Sequence, residues 1–148
     1  MIKIGIASDH RGYTLKEQII DKLVNQYEII DCGTTSIKSV DYPDYAFKLG
    51  NLVADKDVDF GIAICGSGIG ISIACNKVKG IRCAKVSNEK EAQVTRNDND
   101  ANIVAFSSNT QLEEALKIIN TFINTPFSNE PRHQKRIDKI KEYEEQAW

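Results

Sequence analysis

Histidine is scarce in this chain of 148 residues, with two in all, and the four cysteines Cys32, Cys65, Cys75 and Cys83 form no C-x-x-C pair. Both scarcities argue against a zinc site, which draws its ligands from clustered Cys and His. The missing C-x-x-C also counts against a thiol redox protein, because no resolving cysteine stands at the usual spacing. An excess of basic charge is absent too: the formal net charge is −2, whereas nucleic-acid proteins usually carry a positive balance. No apolar run approaches the ~20 residues needed to span a bilayer. The opening Met1-Ile2-Lys3-Ile4-Gly5-Ile6-Ala7 lacks the basic region and cleavage site of a signal peptide. The expectation is a cytoplasmic protein with no membrane and no nucleic-acid partner. In a reducing cytosol, Cys32, Cys75 and Cys83 read as buried free thiols.

What remains is ordinary for a globular chain, with 41% hydrophobic and 27% charged residues, and its length fits one domain over 1–148. Short apolar runs alternate with helical periodicity. Strands are expected at 2–7, 28–31, 58–64, 81–86 and 103–106, and helices at 44–54, 69–77, 88–96 and about 132–146. Thr14-Leu15-Lys16-Glu17 has a capping-box pattern and precedes the apolar face Leu15, Ile19, Ile20, Leu23 and Val24. Thr110 to Glu113 repeats the pattern ahead of Leu112, Leu116, Ile119 and Phe122. Five strands alternating with helices imply right-handed parallel crossovers. The fold class is therefore α/β, a three-layer α/β/α sandwich with a mainly parallel, Rossmann-like five-stranded sheet. No repeat or linker interrupts it, and Phe127 to Pro131 reads as a turn. The last helix is highly charged, with a thin apolar stripe of Ile137, Ile140 and Tyr143 suited to a partner subunit or to its own domain.

Ligands of open parallel sheets sit beyond the carboxyl ends of the strands. Three segments are candidates on that rule: Ser8-Asp9-His10, Cys65-Gly66-Ser67-Gly68-Ile69-Gly70, and Asn97-Asp98-Asn99-Asp100. The glycine-rich turn is neither a dinucleotide fingerprint, since Ile71 stands where the last glycine belongs, nor a P-loop, since no lysine follows Gly70. Two readings stay open, an anion hole of backbone N–H groups or a tight turn that packs a helix on the sheet. Cys65 lies at the start of this turn, where a helix N-terminus favours thiolate. A thiolate there suits nucleophilic attack on a carbonyl, with His10 as a possible base, or proton abstraction beside a carbonyl. Spacing does not separate the two.

Asp9-His10, Asp41-Tyr42-Pro43, Ile64 through Ser72, Ala74 to Lys77, Gly80-Ile81-Arg82 and Arg132-His133 together resemble the ribose-5-phosphate isomerase B family, in the same order and over nearly the whole chain. That family also contains the galactose-6-phosphate and allose-6-phosphate isomerases. The resemblance implies an aldose–ketose isomerase without metal or organic cofactor, interconverting ribose 5-phosphate and ribulose 5-phosphate in the pentose phosphate pathway. It implies that Cys65 moves a proton between neighbouring sugar carbons, with Ser67 handling protons on the sugar oxygens. Gly66, Gly68 and Gly70 would hold the oxyanion through their amides. Asp9 and Tyr42 would contact sugar hydroxyls, although Asp9 also suits a helix cap and Tyr42 a packing role. The phosphate would meet Arg132 and Arg136, whose charge run on residues alone reads as an ordinary solvated basic face, with His10 close by. The family's sites are shared between two subunits, which implies a homodimer or a dimer of dimers, with Asn99 reaching the neighbour's sugar.

One departure stands out. Many family members carry a ring-opening histidine where this chain has Asp98, and a carboxylate near its reference pKa of ~4 donates protons poorly at neutral pH. Asp98 could act with a raised pKa, another group or water could open the ring, or the substrate could be one that forms no furanose, such as a tetrose 4-phosphate. Hexose 6-phosphates and a non-catalytic sugar-phosphate-binding module are the further alternatives.

Overall fold

The computed structural model describes residues 1–147. Its elements are β1 (Lys3–Ser8), α1 (Tyr13–Leu23), β2 (Glu28–Asp31), α2 (Tyr42–Ala54), β3 (Phe60–Cys65), α3 (Ile69–Cys75), β4 (Cys83–Lys85), α4 (Glu89–Asn99), β5 (Ile103–Ser107), α5 (Leu112–Asn124) and α6 (Pro131–Ala147). The strands form one sheet in the order β2-β1-β3-β5-β4, and every pairing is parallel. The sandwich expected from the alternation is present, and the sheet is parallel throughout rather than mainly so.

The central strands β1, β3 and β5 are apolar almost end to end because both of their faces are covered. On one face Ile4, Ile6, Ile62, Ile64, Val104 and Phe106 meet Leu15, Ile19, Ile118 and Phe122 of α1 and α5. On the other, Ala7, Ala63, Cys65 and Ala105 are small, which lets Leu49 and Val53 of α2 and Ile71 and Cys75 of α3 come close. Cys32 and Cys75 are fully buried in this second layer, and Cys83 is half-buried.

The helix starts differ in part from the capping patterns. Thr14 does not begin α1; the N-cap is Gly12, and the side chain of Asp9 accepts the free amides of Arg11 and Gly12 at 3.0 and 3.1 Å. Glu17 faces Lys16 instead, and the Lys16 ammonium, whose side chain is 0% exposed, donates to both Asp31 carboxylate oxygens at 2.9 Å. Thr110 likewise gives no cap, since α5 starts after Gln111. The working box is at α4, where the Asn88 side chain accepts from Glu91 N–H and Glu91 accepts from Ser87 N–H.

The terminal helix α6 buries His133 and Ile137 in its first turns, while near its end Glu144 accepts Gly80 N–H and Glu145 pairs with Lys79. Of the expected stripe only Ile137 is covered, while Ile140 and Tyr143 are 51% and 72% exposed. Together with Arg82, Cys83, Thr95 and Asn99 they line an open groove of about 840 Å³ beside the edge strand β4. No described helix is long and apolar enough to cross a membrane.

Candidate active site

The crevice at the carboxyl ends of β1 and β3 is where the strand order reverses, the point at which doubly wound sheets bind ligands. Cys65 is the last residue of β3 and only 4% exposed. The turn behind it is shaped by close approaches. Gly68 has φ +78°, and a Cβ there would stand 2.7 Å from the Phe106 carbonyl carbon, so a side chain would strike the backbone of β5. At Gly70 a Cβ would lie 2.7 Å from Tyr42 Cζ and 3.0 Å from its hydroxyl oxygen, so the hydroxyl end of that ring abuts the turn. Both roles foreseen for Tyr42, packing and a hydroxyl at the site, are compatible with this position.

The chain leaves the amides of this turn open. Ile69 N–H donates to Ser67 Oγ at 3.1 Å, but Gly66, Ser67, Gly68 and Gly70 have no acceptor for their N–H groups among the described residues. Amides without an acceptor, next to a buried thiol, are donors open to an anionic ligand. The loop after β1 adds Asp9 and His10. One Asp9 oxygen is spent on the Arg11 and Gly12 amides ahead of α1, which has no side-chain cap, so the cap reading is not met and the other oxygen is left for a ligand. His10 Nδ1 accepts Val40 N–H at 3.2 Å, which fixes the neutral ring with its proton on Nε2, a donor free for a ligand.

The other candidates lie elsewhere. The helix α4 runs antiparallel to the strands and carries Asp98 and Asn99 down to the amino edge of the sheet, just ahead of β5. The expectation that placed residues 97–100 at the carboxyl edge is thus corrected: a residue that leads into a parallel strand lies at that strand's amino end. The start of α6 is there as well, tied by Ser128 N–H to Asn97 O at 3.1 Å. His133 is buried against both segments, with Nδ1 2.8 Å from Ser128 Oγ and Nε2 3.8 Å from Asp98 Oδ1. Asn99 accepts from Thr95 Oγ1 and, through its carbonyl, from Arg82. Arg132 and Arg136 are exposed, and Arg132 is held by Glu130 at 2.7 Å. That contact holds the Glu130 carboxyl below its usual range and pushes the Arg132 guanidinium up.

The candidates therefore fall into two groups at opposite edges of one sheet. Cys65, Ser67, Asp9, His10 and Tyr42 converge at the carboxyl edge; Asp98, Asn99, Arg132 and Arg136 gather at the amino edge. The six residues of β3 alone separate the edges by roughly 20 Å. No hydrogen bond or ion pair among the described residues joins the groups. Nor is there a described cluster of three or more His, Cys, Asp or Glu side chains placed to hold a metal. Two residues escaped the sequence reading: His133, seen there only as part of a motif, and Arg11, whose sole signal was its place between His10 and the glycine that starts α1.

A parallel α/β sheet with a buried cysteine and a glycine turn at its switch point belongs to the class of doubly wound proteins that bind small ligands at the carboxyl ends of their strands. Comparison with known proteins narrows the class. Residues 4–140 match the family model described as Ribose/Galactose Isomerase, and the chain belongs to that family. It is 43% identical to ribose-5-phosphate isomerase B of Escherichia coli over 142 residues, 95% of each chain. Among solved structures, ribose-5-phosphate isomerase B of Clostridium thermocellum superposes with a TM-score of 0.95 at 46% identity, over 99% of this chain and all of the other. The Mycoplasma genitalium enzyme, solved with bound ribulose 5-phosphate, gives 0.92 at 41% identity, covering 99% and 98%.

Proposed function

We propose that Cys65 is the proton carrier in the ribose 5-phosphate to ribulose 5-phosphate isomerisation that this family membership assigns to the chain. The observation that carries the proposal is the buried Cys65 thiol at the mouth of a turn with four unclaimed amides. In the open-chain aldose, the Cys65 thiolate takes the proton from C2. The C2–H electron pair becomes the C1–C2 double bond, and the carbonyl electrons move onto O1, which the turn amides receive. The O2 proton passes to O1, a transfer for which the Ser67 hydroxyl is chemically suited. As C2=O forms, the thiol returns its proton to C1. Atoms and electrons balance within the substrate, so the chemistry calls for no external electron acceptor.

Asp9 and Tyr42 serve the sugar hydroxyls in this reading, and His10, Arg132 and Arg136 serve the phosphate. The opposite-edge separation supports a site built from two copies of a single-domain chain, with Arg132, Arg136 and Asn99 coming from the partner of the subunit that supplies Cys65. The exposed Ile140 and Tyr143 and the groove beside β4 favour α6 as part of the contact surface. Reaction in the cytoplasm fits the absence of a membrane-spanning helix among the described residues. Asp98, 3.8 Å from the buried His133 ring, is the carboxyl available at the position where other members open the ring. A substrate that forms no furanose is the second reading, favoured by that same aspartate.

The test is a screen of four-, five- and six-carbon aldose phosphates with the native chain and Cys65→Ala. Native turnover of ribose 5-phosphate should fall by at least about 10³-fold in the variant, the scale of general-base catalysis, while substrate still binds. Retained activity in Cys65→Ala would remove the base assignment, and preferential turnover of the tetrose would move the substrate to the second reading.

A further inference from the structure

Of the five arginines in the chain, three are engaged. Arg82 donates to Asn99 O and Asp100 O, Arg96 to Asp100, Ala101 O and Thr125 O, and Arg132 to Glu130. The guanidinium groups of Arg11 and Arg136 make no hydrogen bond or ion pair among the described residues. They lie one in each half of the proposed site. Arg136 already has a proposed duty; Arg11 has none.

Arg11 is held from two sides. Its backbone N–H is gripped by the buried carboxylate of Asp9 at 3.0 Å, which fixes the loop between β1 and α1. Its side chain lies across Gly66: a Cβ on residue 66 would stand 2.9 Å from Arg11 Cδ and 3.4 Å from Nη1. Glycine at 66 thus leaves the channel in which the arginine stem rests, and the stem carries the guanidinium to the rim of the Cys65 turn. No carboxylate among the described residues pairs with it there. The adjacent His10 uses Nδ1 to accept Val40 N–H, and Arg11 is the arginine of this loop.

We propose that Arg11 binds the phosphate of the sugar substrate, as the arginine contributed by the same subunit as Cys65; this rests on the sugar-phosphate isomerase reading above. Charge favours the phosphate over the reacting carbons, because the phosphate is the standing anion of the substrate. Cys65 is buried and Arg11 exposed, so a substrate whose C1 and C2 reach the thiol presents its far end at the rim. The oxyanion formed at C1 is already provided for by the turn amides. A guanidinium can fork two donors onto one phosphate, which an ammonium cannot do.

The test uses Arg11→Met, which keeps a stem over Gly66 but removes the charge, and Arg11→Lys, which keeps the charge but not the fork. In Arg11→Met, KM for ribose 5-phosphate should rise about tenfold with kcat within about twofold, and Arg11→Lys should fall between. Inorganic phosphate, titrated calorimetrically against the native chain and both variants, should lose affinity in the same order. Unchanged KM and phosphate affinity would overturn the proposal, as would a fall in kcat with phosphate affinity intact. If the native chain turns over none of the four-, five- and six-carbon aldose phosphates, the isomerase reading fails by itself, and the phosphate titration still decides the role of Arg11.

Discussion

The two edges of the sheet are built on different principles. At the carboxyl edge the chemistry rests on backbone: amides held open by a left-handed glycine, a thiol at the end of a buried strand, a tyrosine ring pressed on Gly70. Every part is fixed by its own chain. At the amino edge the chemistry rests on long, exposed side chains, one of them, Arg132, drawn onto Glu130. The first half is preorganised in the monomer and the second is not. Such a contrast is expected where one half binds the reacting centre, which rewards rigidity, and the other supplies charge that becomes ordered when two copies meet.

Changes at the two edges should therefore fail in different ways. The largest effect belongs to Gly68→Ala. The methyl group would meet β5 backbone at 2.7 Å in a left-handed conformation, and the expected loss is about 2–4 kcal/mol of stability together with most of the activity. Thermal denaturation and a progress curve on the surviving folded fraction measure both; an unaltered Tm would show that the turn is not rigid. Next comes Arg132→Ala, which should leave Tm unchanged and raise KM by about tenfold, with little change in kcat. A comparable loss of Tm would erase the proposed difference between the edges. Smallest is Glu130→Gln. With the carboxylate gone, Arg132 is free for substrate, and KM should drop by about twofold at most, as for any exposed ion pair. A rise in KM would mean that Glu130 positions Arg132 rather than competing for it.

Much of this was legible in the residues. Three strands of a doubly covered sheet announce themselves as unbroken apolar runs, and β2 matches its expected span of 28–31. The glycine turn was legible because glycine is what a left-handed residue and two close approaches require. Caps were less so: Thr14 and Thr110 satisfy the pattern, but neither α1 nor α5 has a side-chain cap, and Asp9 holds only the loop amides ahead of α1. The third candidate segment failed for a different reason. Asn97 to Asp100 was assigned an edge by nearness to a strand, whereas the direction of α4 decides the edge, and the alternation that predicts parallel crossovers contains that direction. Arg11 was illegible because its value depends on Gly66, 55 positions away in the chain, leaving room for its stem.

The central claim is that each site takes Cys65 from one copy and Arg132 and Arg136 from the other. It is tested most directly by co-refolding Cys65→Ala with the double variant Arg132→Ala/Arg136→Ala, assayed at substrate well below the native KM, where each alone has little activity. A hybrid dimer then has one site with every defect and one with none, so an equal mixture should recover about a quarter of native activity. Activity no greater than the sum of the two separate variants would place both groups of residues in one subunit and contradict the account.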